Sequence, residues 1–408
     1  MALMEEINRA AVDVRKLATT SPSPGLVRVV PKKDNTVVLD LLQDLDPTYA
    51  LQSVPNCRVI SAESIKQLAV AALTVLKVDS ESESDLAQYL RAAPRGSLAV
   101  HGLVPGMFKG QRDPVLQRRA DKVAQEAVAI LKKGYKCARK GGGENDEQDE
   151  SIDSTEKWIL QLMLFSPQVM AASLTKCKTI PVVGGTWPNW RHPAGMANVD
   201  IIEEVPSSAY RKLLEALECQ QVLPPKATSP FDDVPPVVDL GACPGGWTKA
   251  LRLMGCKVIA VDRSPLEDEL MQDDLVEFVK GDAFTYEPPW SSKSKDLQTA
   301  PPGTWMVSDV IAYPERVAEL LDRWCGGKWA GRIVVTAKFQ GGSIPWDALD
   351  AAVKVATDHG YDCRVKHFFN NKNEVTVMAS ERVGGAYLKE SDTNLSFLGK
   401  AMYPPASP

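Results

Sequence analysis

The stretch VVDLGACPGGWTKAL, residues 237–251, joins an apolar run to a Gly-rich turn and then to a segment with a helical pattern. The turn is not a P-loop, because no Gly-Lys-Ser/Thr follows it, and Cys243 interrupts a GxGxxG pattern. Pro244 has no N–H group, which disfavours a phosphate-binding nest. The three glycines of the turn instead allow the backbone to approach a flat and compact ligand.

Strand-like and helix-like segments alternate regularly from Val205 onward. This alternation predicts a parallel sheet with helices on both faces. The last two strand-like runs, YDCRVKHFF and EVTVMAS, are joined by only NNKN, which is too short for a crossover helix. They predict an antiparallel hairpin at the sheet edge. Pro206, Ser207 and Ser208 are predicted to cap a helix that runs through about Gln220.

Three aspartates follow successive predicted strands of this sheet. Ligands of open α/β sheets bind at the carboxyl ends of strands. Asp262 ends the second strand, where a carboxylate can accept hydrogen bonds from ribose hydroxyls, and Asp282 ends the third, where a side chain can meet an adenine edge. Each aspartate taken singly could be a helix cap or a turn residue. The ordered series, which begins with Asp239, favours a nucleoside without a phosphate, and S-adenosyl-L-methionine fits best. The predicted cofactor-binding residues are Asp239, Gly241, Ala242, Cys243, Pro244, Gly245, Gly246, Trp247, Asp262, Asp282 and Asp309.

A set of motifs carries a family resemblance. DLGACPGGWT, AVDRSPL, GDAF, WMVSDV, TAKF and NEVTV occur in the order and spacing of the FtsJ-like ribose 2′-O-methyltransferases. Over about residues 180 to 382 the chain resembles this family, and more narrowly its bacterial large-subunit ribosomal RNA cytidine 2′-O-methyltransferases, which carry an N-terminal THUMP-type domain. The N-terminal half matches only loosely, through SLAVHGLVPGMFKG and QRRADKV.

The resemblance implies an α/β fold. A Rossmann-like class I S-adenosyl-L-methionine-dependent methyltransferase domain, with a seven-stranded, mostly parallel sheet and an antiparallel edge hairpin, follows a smaller α/β THUMP-like domain. The implied activity is ribose 2′-O-methylation of RNA, with a cytidine of large-subunit ribosomal RNA as the expected target.

The family uses a Lys-Asp-Lys-Glu tetrad, which Lys212, Asp309, Lys338 and Glu374 match. A ribose 2′-hydroxyl is a weak nucleophile and needs a base within hydrogen-bond reach. A lysine can be that base only when it is neutral, which burial beside a second cation favours. The resemblance implies that Lys338 is the base and Lys212 the second cation. Asp309 would orient the amine, and Glu374 would hold Lys338 or the hydroxyl in line. Methyl transfer is then an in-line displacement that requires no metal.

The same residues also have purely structural interpretations. Lys212 could be a solvated lysine on an amphipathic helix, and Glu374 could be an exposed charge opening an edge strand. Cys243 could be a nucleophile for base C5-methylation, although a small residue packed against the cofactor suffices. The Val-Ile-Ala-Tyr segment after Asp309 differs from the Asn-Pro-Pro-Tyr type of amino-group methyltransferases and disfavours base N-methylation.

Two departures from the family pattern concern the fit of the substrate. TAKFQGG stands where the family more usually has Lys-x-Pro, and residues 287–303 form a longer loop.

The predicted domain order follows from these patterns. Residues 1–180 form the N-terminal α/β domain, residues 181–396 the methyltransferase domain and residues 397–408 a flexible tail. Within the first domain, the run GGG and the acidic ENDEQDESIDSTE predict a disordered loop over about 139–156. The strand-like pieces there are GLVRVV, NTVVLDLL, SLAVHGLV and two short strands around Ser166-Pro167. The helical pieces are about Ala62–Leu76 and DPVLQRRADKVAQEAVAILKK.

Composition leaves the binding partner open. The chain has 408 residues, 44% of them hydrophobic and 24% charged, and a net charge of -5. Seven of its acidic residues lie in the run 144–156, so the remainder is near neutral. RNA is the predicted partner, either large-subunit ribosomal RNA or its precursor particle. Phosphate contacts are expected from Lys109, Arg112, Arg118, Arg119, Lys122 and residues 132–140. Trp187, Trp190 and Arg191 could stack on unpaired bases, although packing at a domain junction is the favoured interpretation.

Other function classes are disfavoured. Eight cysteines without CxxC spacing and four histidines without an HxxxH pair predict reduced thiols and no structural zinc. Apolar runs are too short for a membrane helix, and the start of the chain lacks the pattern of a secretory signal. We expect a cytoplasmic protein, with nucleus and organelle left open. Two alternatives stay open: an RNA-binding or ribosome assembly factor on a weakly active methyltransferase scaffold, and a methyltransferase for another acceptor.

Overall fold

A computed structural model describes most of the chain. The described residues are 2–10, 17–23, 26–31, 46–79, 81–106, 113–136, 138–140, 156–180, 183–197, 199, 202–291 and 300–382. The predicted strand NTVVLDLL, most of the acidic loop, the middle of the loop 287–303 and the tail lie outside them. So do Lys109 and Arg112.

The chain divides into two compact units. The first spans Met1–Thr179 and Thr186–Met196, and the second spans Ile180–Gly185 and Ala197–Pro408. Residues 186–196, which the sequence analysis assigned to the second domain, therefore group with the first unit. The other predicted domain bounds stay predictions.

The first unit is built on a five-stranded sheet. Its helices are α1 (Ala2–Ala10), α2 (Ile65–Val75), α3 (Asp85–Ala92) and α4 (Pro114–Leu131), and its strands are β1 (Leu17–Ser23), β2 (Leu26–Pro31), β3 (Arg58–Ser61), β4 (Leu98–Leu103), β5 (Ala138–Lys140), β6 (Trp158–Leu164), β7 (Val169–Lys176), β8 (Lys178–Thr179) and β9 (Thr186–Trp187). The sheet order is β3-β7-β6-β4-β5, while β1 pairs with β2 and β8 with β9. The predicted strands around Ser166-Pro167 are β6 and β7, an antiparallel pair.

Successive side chains of β4 and β6 point to opposite faces of the sheet, and the first unit has a buried hydrophobic cluster on each face. Leu98, Val100 and Leu160 pack with the buried sides of α2 and α4. Ala99 and Ile159, the intervening residues, pack with Cys177 and Trp190 in a second, smaller cluster. This is the side-chain pattern of a sheet that is buried on both faces.

The second unit holds the sheet that the alternating pattern predicts. Its helices are α5 (Tyr210–Gln220), α6 (Gly246–Leu253), α7 (Asp268–Met271), α8 (Pro314–Gly326) and α9 (Trp346–Asp358), and its strands are β10 (Val237–Leu240), β11 (Val258–Asp262), β12 (Val276–Lys280), β13 (Trp305–Ser308), β14 (Arg332–Lys338), β15 (Tyr361–Lys366) and β16 (Glu374–Glu381). The seven strands lie in the order β12-β11-β10-β13-β14-β16-β15. The order reverses beside β10, which pairs in parallel with both β11 and β13.

The terminal hairpin differs in one respect from the prediction. β16 is antiparallel to both β14 and β15, so it lies inside the sheet, and β15 forms the edge. Every residue of β16 up to Ser380 is buried, including the polar Glu374, Thr376 and Ser380. The interpretation of Glu374 as an exposed charge on an edge strand is therefore wrong.

The predicted serine cap does not lie at the N-cap position of α5. The helix begins at Tyr210, and its N-cap residue, Ala209, makes no side-chain hydrogen bond. The first turn is closed by backbone bonds instead, from the Arg211 N–H to Ser208 and from the Lys212 N–H to Ala209. The Ser207 hydroxyl accepts the Ala209 N–H at 3.3 Å and lies 2.4 Å from where a Cβ at Gly246 would be.

Gly102 of β4 sets how closely α4 approaches the first sheet. A Cβ at this position would lie 2.5 Å from the Ala120 carbonyl oxygen and 2.9 Å from the Asp121 nitrogen, both backbone atoms of α4. We expect Gly102→Ala to reduce the free energy of unfolding by about 1–3 kcal/mol, because the helix must move off the strand. Urea unfolding of the full chain measures the loss. Gly342→Ala, where a Cβ would meet nothing within 4 Å, is the control. Equal unfolding midpoints for both variants would contradict this prediction.

Candidate functional site

Four charged residues meet at the end of the second sheet where its parallel strands have their carboxyl termini. Asp309 directly follows β13, and Lys338 ends the parallel strand β14. β16 runs antiparallel to β14, so its first residue, Glu374, lies at the same end of the sheet and pairs in register with Lys338. Lys212 reaches this end from α5. The structure thus brings together all four residues of the predicted tetrad.

The four side chains form a closed ring of opposite charges. The Lys212 ammonium lies 2.8 Å from Asp309 Oδ1 and 2.9 Å from Glu374 Oε1. The Lys338 ammonium lies 2.8 Å from Asp309 Oδ1 and 3.3 Å from Glu374 Oε2. Each ammonium therefore bridges both carboxylates. The Thr336 hydroxyl donates to Asp309 Oδ1 at 2.7 Å, and Lys338 Nζ also donates to the Asp309 backbone carbonyl at 3.1 Å.

The two lysines differ in their access to solvent. The side chain of Lys212 is 8% exposed, and that of Lys338 is 22% exposed. Lys212 is therefore an interior counter-ion rather than the solvated lysine of the structural interpretation. Lys338 has the more accessible side chain of the two.

Both carboxylates of the ring are held in their charged form. Burial alone raises the pKa of Asp309, but Lys212 and Lys338 outweigh this effect and hold the pKa below its ordinary value. Burial likewise raises the pKa of Glu374, and the same two ammonium groups bring it below the ordinary value. With both lysines protonated, the ring has no net charge.

Glu215 is a site residue that the sequence analysis missed. It lies on α5 three residues after Lys212, so both side chains project from the same side of the helix. Its buried carboxylate accepts the N–H groups of Phe369 at 3.1 Å and Asn370 at 3.0 Å. The Asn371 side chain then donates to Glu374 Oε1 at 3.5 Å. The helix that carries Lys212 therefore also positions the loop that leads into Glu374. The sequence signal that could have identified Glu215 is a glutamate on the apolar side of a predicted helix.

The Gly-rich turn uses its own N–H groups internally. Gly241 and Ala242 donate to the Val261 carbonyl at 2.8 and 3.2 Å, and Cys243 donates to Asp262 Oδ2 at 3.0 Å. These three groups are therefore occupied, and Pro244 has none. The turn holds no phosphate nest at these four positions, as the sequence indicated.

Two glycines of the turn are required by its backbone. Gly241 has φ 75°, and a Cβ there would lie 2.9 Å from the Cβ of Val310. Gly245 has φ 116°, and a Cβ there would lie 2.3 Å from Leu270 Cδ1. Both conformations favour glycine strongly, and both close approaches exclude a side chain.

The predicted cofactor residues fall into two groups. Cys243 and Pro244 are exposed, and Asp262 and Asp282 are partly exposed at the ends of their strands. Each oxygen of Asp262 accepts one backbone N–H, from Cys243 and Ser264, which leaves acceptor capacity for ribose hydroxyls. Asp282 accepts the Phe284 N–H and pairs with Arg263. These acceptor groups fit an uncharged nucleoside such as that of S-adenosyl-L-methionine.

Asp239 and Trp247 lie inside the unit instead. Asp239 Oδ2 accepts the Thr248 hydroxyl at 2.6 Å, and burial raises the pKa of this carboxyl to about 7. Trp247 is buried, and its Nε1 donates to the Ala209 carbonyl at 2.9 Å. These two contacts tie α6 to β10 and to the segment before α5. Ala242 is also buried.

Cys243 has little nucleophilic character. Partial desolvation and the nearby Asp262 carboxylate raise the pKa of its thiol. A thiolate, the form that attacks a base, is therefore disfavoured.

In the first unit, the predicted RNA-contacting side chains have different surroundings. Arg118, Lys122, Lys132, Lys133 and Lys136 are exposed. Arg119 donates to the carbonyls of Pro167 at 2.7 Å and Glu63 at 3.2 Å, so it joins α4 to neighbouring segments.

Trp187 and Trp190 are buried within the first unit. Lys157 Nζ lies 5.0 Å from the centre of a Trp190 ring. Their surroundings support packing rather than stacking on bases.

Comparison with known proteins agrees with this geometry. Residues 205–311 match the family model "FtsJ-like methyltransferase". Over these residues the chain is similar to the FtsJ-like methyltransferases. The resemblance that the sequence motifs carry is thereby confirmed over residues 205–311, and with it S-adenosyl-L-methionine as the cofactor.

Curated relatives carry the name "Ribosomal RNA large subunit methyltransferase M". The protein of Marinomonas sp. (strain MWYL1) is 35% identical over 146 residues, which are 34% of this chain and 38% of the relative. Those of Shewanella woodyi and Pseudoalteromonas atlantica are 29% and 30% identical, over 46% and 49% of this chain and 51% and 55% of the relatives. The chain thus spans about half the length of these relatives or less.

Solved structures show only distant similarity. A fibrillarin/Nop5p complex has a TM-score of 0.32 at 13% identity, covering 46% of this chain and 99% of that one. Aeropyrum pernix fibrillarin with bound S-adenosyl-L-methionine has a TM-score of 0.28 at 16% identity, covering 54% and 82%. Among the helices that the structure describes, none combines the length and apolarity needed to span a bilayer.

The pKa of Glu215 gives a test of its positioning role. Burial raises this pKa from 4.5 to about 7, although the N–H groups of Asn370 and Phe369 act in the opposite direction. Between these values the folded chain keeps a proton that the unfolded chain has lost. The contribution of Glu215 to the free energy of unfolding therefore falls as pH rises through this interval, and levels off above it.

In Glu215→Gln this pH dependence should be absent. The unfolding free energy of the wild type relative to the variant should fall between about pH 4.5 and 7 by an amount on the order of 3 kcal/mol. Urea unfolding at the two ends of the interval measures the change. Glu277→Gln, which alters an exposed carboxylate on β12, is the control. Parallel pH profiles for wild type and Glu215→Gln would show that the carboxyl titrates normally.

Proposed function

We propose that the chain is an S-adenosyl-L-methionine-dependent RNA ribose 2′-O-methyltransferase, with Lys338 as the general base. The observation that carries the proposal is the closed ring in which Lys338 is the more exposed lysine. An amine that touches two carboxylates, and is still accessible from one side, can meet an incoming hydroxyl. Lys212, on the buried side of the ring, has no such access.

The proton balance of the reaction follows from the ring. The bound cofactor supplies an electrophilic methyl group on a positively charged sulfur. Neutral Lys338 takes the proton of the 2′-hydroxyl as the new oxygen–carbon bond forms and the sulfur–carbon bond breaks. With Lys338 neutral, the ring has one net negative charge, which suits a neighbouring cation. Lys212 stays protonated and keeps both carboxylates in place.

Asp309 and Glu374 have separate tasks in this mechanism. Asp309 binds Lys338 through both a carboxylate oxygen and its backbone carbonyl, at 2.8 and 3.1 Å, and so fixes the direction of the amine. Glu374 holds the amine from the opposite strand at 3.3 Å. Such fixed geometry is what an in-line displacement needs.

Different observations support the ribose hydroxyl as the methyl acceptor and ribosomal RNA as the substrate. The Val-Ile-Ala-Tyr segment after Asp309 and the raised pKa of the Cys243 thiol both disfavour transfer to a base. The names of the relatives support ribosomal RNA of the large subunit as substrate, with a cytidine as the target by family resemblance. The bacterial relatives support a cytoplasmic location as part of this proposal.

For RNA binding we propose the first unit, as a THUMP-like domain. Its exposed lysines and Arg118 on and after α4 would neutralise phosphates.

Two substitutions of Lys338 test the base. Lys338→Ala removes the amine, whereas Lys338→Arg keeps a positive donor that does not give up its proton. We expect the kcat of methyl transfer to large-subunit ribosomal RNA to fall by about 10²–10⁴-fold in both variants. Cofactor affinity should be unchanged, which calorimetry checks.

Lys354→Ala is the matched control, since Lys354 is an exposed lysine paired with Asp358 on α9. Wild-type turnover by Lys338→Arg would show that Lys338 supplies charge rather than proton transfer. Absence of transfer by the wild-type chain, with RNA binding retained, would favour the assembly-factor alternative.

A further inference from the structure

Two nonpolar side chains are exposed directly beside the charged ring. Ile311 is 79% exposed and Tyr313 is 37% exposed, while Ala312 between them is buried. All three follow Asp309 in the segment that joins β13 to α8. Single exposed apolar residues are common on protein surfaces and need no explanation. A pair within four residues of a catalytic carboxylate is a more specific arrangement.

A backbone hydrogen bond places this pair next to Lys338. The Lys338 N–H donates to the Ala312 carbonyl at 2.8 Å. The segment therefore runs alongside the end of β14, with Ile311 and Tyr313 on either side of the contact. Ala312 is buried, and successive side chains of an extended segment point in opposite directions. The side chains of Ile311 and Tyr313 are therefore exposed.

The opposite side of Lys338 is also held in a defined position. Asn373, which precedes Glu374, donates through its side chain to the carbonyls of Phe339 and Gly341, both at 3.1 Å. Between them, Gln340 donates to the Tyr313 hydroxyl. The Tyr313 ring is thereby linked to the strand that carries Lys338. We call Ile311 and Tyr313, the two exposed side chains of the segment that is hydrogen-bonded to Lys338, the shelf.

We propose that this shelf supports the base of the target nucleotide in an unpaired state. The inference rests on the proposed function, because it requires a ribose hydroxyl at Lys338. The base and the 2′-hydroxyl of a nucleotide are carried by adjacent carbon atoms of the sugar. A hydroxyl at the Lys338 amine therefore brings its base to the immediate surroundings of the ring, where the shelf lies.

The chemistry of the shelf identifies the state of the RNA. Unstacked bases bind to aromatic and apolar side chains through their flat faces. In a duplex those faces are covered by neighbouring base pairs. The shelf therefore selects a nucleotide in a loop, a bulge or a single strand, and a phosphate-only contact would not use it.

The test compares steady-state methyl transfer to protein-free large-subunit ribosomal RNA taken from cells that lack the protein. For the double variant Ile311→Ala with Tyr313→Ala, we expect KM for RNA to rise roughly tenfold. The cofactor dissociation constant should be unchanged. Tyr313→Phe keeps the aromatic ring and loses only the hydroxyl that Gln340 contacts, so its KM for RNA should rise less than that of the double variant.

Phe231→Ala is the matched control. Phe231 is 95% exposed and precedes β10, so it lies at the opposite edge of the sheet from Lys338.

A competition experiment tests the unpaired state. A single-stranded RNA oligonucleotide should inhibit the wild type more strongly than its duplex, and this difference should disappear in the double variant. An unchanged KM in the double variant would overturn the proposal and assign the pair to another partner. Loss of cofactor binding in the double variant would also overturn it, because a surface shelf leaves the cofactor site intact.

RNA binding tests the shelf separately from the proposed methyl-transfer activity. If the wild type does not methylate this RNA, filter binding of the same oligonucleotides to wild type and double variant still measures the shelf. Equal affinities would then reject the shelf independently of activity.

Discussion

The site depends on a balance of four buried or half-buried charges. A lysine as deeply buried as Lys212 is costly unless its ammonium is fully compensated, and here it touches both Asp309 and Glu374. The balance constrains the whole second unit, because α5, β13, β14 and β16 must bring their four charged residues to the same end of the sheet for the ring to close. Removing any one member leaves an uncompensated charge in a place with little water. The ring therefore links the stability of this sheet edge to its chemistry.

Much of the fold followed from residue patterns. Mostly apolar runs such as VVDL and WMVS, which alternate with helical segments, indicated central parallel strands, and the short linker NNKN indicated the terminal hairpin. Motif resemblance then supplied the tetrad, which composition and periodicity alone would not have singled out. The burial of Lys212 and Glu374 could not be predicted, because it arises only when β16 inserts between β14 and β15. The same holds for Glu215, whose partners Phe369 and Asn370 are more than 150 residues away in the chain.

The Gly-rich turn shows how sequence can predict a ligand class correctly while missing how some residues act. Pro244 and the absence of a P-loop pattern excluded a phosphate nest, and the internal use of the Gly241, Ala242 and Cys243 N–H groups gives the physical reason. Asp239 and Trp247, in contrast, support the turn from inside through Thr248 and Ala209. A motif position marks a residue as necessary for a site without stating which atoms it contacts. Side-chain direction at such positions is set by tertiary packing.

The central claim is that this ring delivers a methyl group to a sugar oxygen. Its most direct test is to methylate large-subunit ribosomal RNA with isotopically labelled S-adenosyl-L-methionine, digest the product to nucleosides and locate the label by mass spectrometry. Fragmentation at the glycosidic bond separates base from ribose. The ring geometry predicts that the label stays with the ribose. A label that travels with the base would contradict the account, whatever the rate of the reaction.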